Sequence, residues 1–116
     1  MKKAYRIKKS SEIDAIFKNK KSKNNQFYGI YQKNNQNQQH FRFAMSIGRK
    51  YGNAVERNLA KRRIRMIILE FSKSFKENID FVIVIRPQSK SLSYQEMRQN
   101  LLELLQKSKI TENKHA

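Results

Sequence analysis

Cysteine is absent from this chain, and with it disulfides, thiolate metal sites and cysteine nucleophiles; a reducing cytoplasm is the compartment that agrees with this. Tryptophan is absent too, and no apolar run approaches the ~20 residues of a spanning helix. The longest run, Phe81 to Ile85, is strand-sized, so no membrane partner is expected. Met1-Lys2-Lys3 resembles the start of a signal peptide, but Arg6, Lys8 and Lys9 interrupt any apolar region behind it, and no export is inferred. The three glycines form no phosphate-cradling fingerprint. Of the two histidines, His40 lies in a polar stretch and His115 beside the C-terminus; their spacing fits no zinc site, and both read as solvated. Acids are scarce and scattered. Glu12 and Asp14, two apart, point to different sides of a helix, so no carboxylate pair for acid–base work emerges. The residues therefore offer no catalytic constellation and no metal ligands.

What the chain has instead is positive charge. Against 9 Asp+Glu stand 26 Lys+Arg, a formal net charge of +17 and a pI near 10.4. In a single domain over residues 1–116 this points first to nucleic acid. The charge concentrates in SIGRKYGNAVERNLAKRRIRMIILE, residues 46–70. A helix starting between Asn53 and Glu56 places Arg57, Lys61 and Arg65 on one stripe, flanked by Asn58 and Arg62. Ala60, Ile64, Ile67, Ile68, Phe71 and Phe75 repeat at three and four and supply a core face. A solvated face would be laced with Glu at four-residue spacing. Here five of the nine residues from Arg57 to Arg65 are cationic, with only Glu56 near the start. They also crowd the positive end of the helix dipole, so the free helix is electrostatically opposed and a polyanion would reverse the sign.

Around this helix, Ser10 or Ser11 with Asp14 suggests a capped first helix bearing Ile13, Ile16 and Phe17. KNKKSKNN, residues 18–25, reads as an exposed loop. Residues 27–31 alternate as a strand, with Gly29 leaving a gap on the face of Phe27 and Tyr31. The polar stretch 33–40 reads as a hairpin connection to a strand 41–47 that turns Phe43, Met45 and Ile47 inward and Arg42, Ala44 and Ser46 to the other face. Asp80-FVIVI-Arg86, bounded by Pro87, is a buried strand. Ser93 and Glu96 form a capping box opening a last helix with Met97, Leu101, Leu104 and Leu105 as its core stripe, and beyond about residue 110 a polar, frayed tail is expected. The order α-β-β-β-α-β-α describes an α+β domain with a mixed sheet of about four strands packed by helices.

At RKYGNAVERNLAKRRIR, residues 49–65, the chain resembles the protein subunit of bacterial ribonuclease P, whose hallmark is a Gly-Asn-Ala-Val turn followed by an Arg-Asn-Arg helix. The likeness extends to AYRIKKSSEIDAIF near the start, to the apolar strand before the turn and to DFVIVIRP. One position departs: Leu59 stands where the motif has its second arginine and offers packing in place of a polar contact.

The resemblance implies a fold like the second domain of ribosomal protein S5, with a left-handed βαβ crossover against the usual right-handed rule. It implies a protein cofactor of the ribonucleoprotein that removes the 5′ leader from precursor tRNA. In that family the RNA subunit carries catalysis, with Mg²⁺ held mainly by RNA phosphates. Carried over by position, the RNA-subunit-binding residues are Arg49, Lys50, Arg57, Asn58, Lys61, Arg62 and Arg65. The leader-binding residues are Ile13, Phe17, Tyr31, Arg42 and Ser46, with Ile13 replacing a common aromatic. By residue type, Phe17 and Tyr31 suit ordinary core packing as well as base stacking; the resemblance favours stacking beside basic groups, which holds a leader of any sequence. Two other classes share the charge. A small basic ribosomal protein would lack the GNAVERN order of motifs, and a DNA reader would present side chains suited to base edges, where this stripe suits phosphates.

Overall fold

The computed structural model describes residues 3–111; Met1, Lys2 and the segment 112–116, with His115, lie outside the described residues. Helix α1 (Ser10–Lys18) is followed by strands β1 (Lys21–Asn24), β2 (Tyr28–Asn34) and β3 (Arg42–Ile47), helix α2 (Ala54–Phe71), strand β4 (Ile79–Ile85) and helix α3 (Tyr94–Lys107). The order is the α-β-β-β-α-β-α one. The mixed sheet runs β1-β2-β4-β3, antiparallel at β1/β2 and β2/β4 and parallel at β3/β4.

β4 takes a central place because its residues are apolar toward both faces. Phe81, Ile83 and Ile85 turn to one side and Val82 to the other, so the strand must be covered above, below and along both edges. That requirement corrects the reading of residues 33–40 as a hairpin connection: β4 inserts between β2 and β3, and the connection crosses over it. The larger core lies on the face covered by α2 and α3. There Ala60, Ile64, Ile67 and Ile68 meet Leu101, Leu104 and Leu105 over Tyr28, Ile30, Phe43, Phe81 and Ile83. The smaller one lies under α1, where Ile7, Ile16 and Val82 are enclosed by Ile13, Phe17, Tyr31 and Ala44.

Three local expectations are also corrected. Residues 21–24 are not loop but edge strand: Lys21 to Asn24 pair in register with Gln32 to Gly29, although β1 buries almost nothing. Neither Ser10 nor Ser11 caps α1; both lie inside the helix, and Lys9 at its N-cap makes no side-chain cap bond. Ile110 is buried and Thr111 bridged to Phe75, and the tail expected to fray beyond about residue 110 otherwise lies outside the described residues. His40 is not a free solvated ring, since it packs on Tyr5 at 4.4 Å between centroids.

Candidate nucleic-acid interface

The start of α2 is built by its capping residues. Asn53 Oδ1 accepts from the Glu56 backbone N–H at 2.9 Å, and Glu56 Oε1 accepts from the Asn53 N–H at 2.9 Å. Gly52 permits this, because a Cβ there would lie 2.3 Å from Glu56 Oε1. Arg49 and Lys50 are exposed on the short 3₁₀ turn just before it. From this fixed start the cations fan out in distinct roles. Arg57 donates through Nη1 to the Gly52 carbonyl at 2.7 Å. Asn58, Arg62 and Arg63 face solvent, while Lys61 and Arg65 are half-buried.

Lys61 and Arg65 turn toward the open edge of β3. With Arg6, Ile7, Ile13 and the β3 residues 43–45 they line a groove of about 180 Å³ between α1 and α2. The N-terminal segment caps one end of that edge, where the Ile7 N–H donates to the Phe43 carbonyl at 3.0 Å. Arg65 is uncomfortable there. Its Nε is buried with no hydrogen-bond partner, and burial, followed by the positive charges of Arg6 and Arg62, pulls its guanidinium below the ordinary value. An anion in the groove would relieve all of these at once.

Among the expected leader-binding residues, Phe17 and Tyr31 do meet, edge to face, with ring centroids 4.9 Å apart. Both remain partly exposed at the rim of the small core. Gly29 does not leave the gap expected on the face of Tyr31: the space a Cβ would take is filled by Asn24 Oδ1 and the guanidinium of Arg86. Ile13 lies with Lys61 and Arg65 in the groove, so the structure joins one expected leader residue to two expected RNA-subunit residues. Ser46 is exposed on β3. Arg42 is otherwise engaged. Its Nη2 donates to Asp80 Oδ2 at 2.7 Å and to Glu12 Oε2 at 2.8 Å, and its Nε donates to Asp80 Oδ1 at 3.2 Å. These bonds, Asp80 first, hold its guanidinium firmly charged and tie α1 to the sheet. Arg42 is thus a clamp, not an open cation awaiting phosphate.

Sequence reasoning missed Arg6 and Met45, whose place in the groove depends on the N-terminal segment lying along β3. It also missed a second stripe on α2: Val55, Leu59, Met66 and Leu69 are all exposed, opposite the core face, with Arg62 among them. Their spacing is the signal that would have shown it. Leu59, 40% exposed, accordingly lies on the solvent side and not in the core.

Among the described residues no group of three or more His, Asp or Glu could hold a metal ion. Four carboxylates are engaged by cations of the chain itself: Glu12 and Asp80 by Arg42, Glu56 by Lys90, Glu70 by Arg98. The remaining acids do not converge, so the donor set does not suit Mg²⁺, a hard cation that needs several oxygen ligands together. No helix of the described residues is long and apolar enough to cross a membrane.

Residues 1–109 match the family model described as Ribonuclease P. The ribonuclease P protein component of Acholeplasma laidlawii is 46% identical over 112 residues, covering 97% of this chain and 96% of the relative. That of Streptococcus pyogenes serotype M5 is 44% identical over 121 residues, covering 99% of this chain and all of the relative. The solved RNase P protein of Staphylococcus aureus superposes with a TM-score of 0.87 at 32% identity, covering 94% of this chain and 99% of that one. The one from Thermotoga maritima gives 0.79 at 25% identity, covering 88% and 96%.

Proposed function

The chain belongs to the ribonuclease P protein family, and from that premise we propose how it serves as protein cofactor of the ribonucleoprotein that matures tRNA 5′ ends. The RNA subunit docks on the outer side of α2 and the turn before it, through Arg49, Lys50, Arg57, Asn58, Lys61, Arg62 and Arg65. The precursor's leader lies across the α1 side of the sheet, against Ile13, Phe17, Tyr31 and Ser46, with Arg42 setting the position of α1 beneath it. The groove shared by Ile13, Lys61 and Arg65 is where the two RNAs come closest on the protein. Cleavage belongs to the RNA subunit and its Mg²⁺ ions, in the cytoplasm.

The observation that carries this reading is the division of charge. Glu12, Asp80, Glu56 and Glu70 are held in pairs with Arg42, Lys90 and Arg98, while the cations of α2 pair with no carboxylate among the described residues. A surface organised in this way lowers its free energy by neutralising RNA phosphates and releasing their counterions. A ribosomal protein would share that electrostatic logic, but the family match over nearly the whole chain favours the ribonuclease P reading. Rigorously RNA-free protein should show no nuclease activity, whereas protein plus ribonuclease P RNA should cleave precursor tRNA at lower Mg²⁺ than the RNA alone. Cleavage by the protein alone, or no shift in the Mg²⁺ requirement, would overturn it.

A further inference from the structure

At the opposite edge of the sheet from the β3 groove, β1 and the C-terminal ends of α1 and α3 enclose a shallow hollow of about 430 Å³. Lys20, Lys21, Lys23, Lys107 and Lys109 line it, with no acidic residue in the lining. All five are exposed, and none pairs with a carboxylate among the described residues. Gln32 holds the two helix ends together beneath them: its backbone carbonyl accepts from Asn19 Nδ2 at 3.0 Å, and its side-chain Nε2 donates to the Ser108 backbone carbonyl at 2.8 Å.

Two ordinary explanations fall short. Lysines at helix C-termini offset the dipole, but two helix ends supply roughly half a negative charge each, about one in all, against five lysines. Lysines also guard an unpaired strand edge, which accounts for Lys21 and Lys23 on β1. It does not account for Lys20 and Lys109. These follow the C-caps of α1 and α3, at φ of 60° and 59°, and are the non-glycine residues with positive φ among the described residues. Glycine relaxes that position, and a lysine there is strained. Ser108, which also lines the hollow, is buried with its Oγ lacking any hydrogen-bond partner.

We propose that this β1 edge is a second RNA site, taking the phosphodiester backbone of a strand that passes the molecule on the side away from α2. Its ligand is phosphate oxygen and not base, since lysine supplies point charges and the lining holds no aromatic ring. The proposal rests on the RNA-cofactor reading above, and the strand belongs to either the RNA subunit or the precursor tRNA.

The test uses the Lys20→Gly, Lys109→Gly double variant beside Arg62→Ala as control. Affinity for ribonuclease P RNA, and of the assembled holoenzyme for leader-bearing precursor and for mature tRNA, is followed across salt concentrations, together with thermal melting. The glycine pair should melt at the same temperature or higher, bind severalfold more weakly, and lose about 1.4 to 1.8 from the slope of log K against log salt, for two lost phosphate contacts. Loss with the RNA subunit alone places the strand there; loss confined to the holoenzyme with either tRNA places it on the substrate. Lys23→Ser with Lys107→Gln reads the same slope through exposed side chains if the glycine pair folds poorly. Unchanged affinity and slope for every RNA overturns the proposal. Arg62→Ala in the same series shows whether the α2 interface stands without it.

Discussion

Arg42 on β3 and Arg65, which reaches the edge of β3 from α2, live in opposite electrostatic worlds. Arg42 is enclosed by two carboxylates that hold it charged and fixed; Arg65 is half-buried, lacks a partner for Nε, and feels only the like charges of Arg6 and Arg62. The difference teaches how a chain with few acids uses them. Three of the nine tie elements together, α1 to the sheet by Glu12 and Asp80, α2 to α3 by Glu70 with Arg98. None of them pairs with a cation of α2 among the described residues. If the α2 groove is the RNA contact we propose, stability and binding fall to different arginines.

The sharpest way to break that comparison is Arg42→Ala. Asp80 is only 6% exposed, and removing its partner strands a buried carboxylate, which should cost about 3 kcal/mol in urea unfolding. The salt slope of RNA binding should hardly move; a reduced slope with little loss of stability would make Arg42 a phosphate contact after all. Next in size are Phe17→Ala and Tyr31→Ala. Each should cost about 1 to 3 kcal/mol of holoenzyme affinity for precursor tRNA if it stacks a base, and nothing with mature tRNA. Equal losses on both substrates, or a collapse in melting temperature, would return the pair to the core.

Arg65→Ala should do the reverse of Arg42→Ala. RNA binding weakens and the salt slope falls by roughly one unit, while melting is unchanged or improves because an ill-placed charge is gone. Normal binding by that variant would dissolve the contrast. The smallest effect concerns Glu70, whose carboxyl is held below the ordinary range chiefly by hydrogen bonding to Arg98. A lowered folded-state value means the unfolded chain binds the proton first as pH drops. The contribution is therefore present at neutral pH and lost as pH falls below the ordinary carboxylate value of about 4.3. Glu70→Gln should show a slightly lower urea midpoint than wild type at pH 7 and none of that deficit near pH 3. The effect stays small because both partners are exposed and screened.

Much of the frame was legible without coordinates. The helical period of Ala60, Ile64, Ile67 and Ile68, the Ser93–Glu96 box and the apolar run of β4 each carry a signal within one element. β1 carried none: KSKN is a strand because β2 offers it hydrogen bonds in register, not because its side chains bury anything. The place of β4 between β2 and β3 was equally silent, since an apolar strand announces that it needs neighbours and not which ones.

For the site the division runs the same way. By itself the sequence determined which residues carry charge, which helix concentrates them and which family the chain belongs to, because those are properties of composition, spacing and motif. Only the tertiary structure decided which charges are open. Whether an arginine meets a carboxylate depends on elements far apart in the chain: Arg42 finds Glu12 and Asp80, Arg65 finds Arg6, and Lys20 finds Lys109 across the ends of two helices. A Coulomb interaction falls with distance in space, and distance along the chain does not report it.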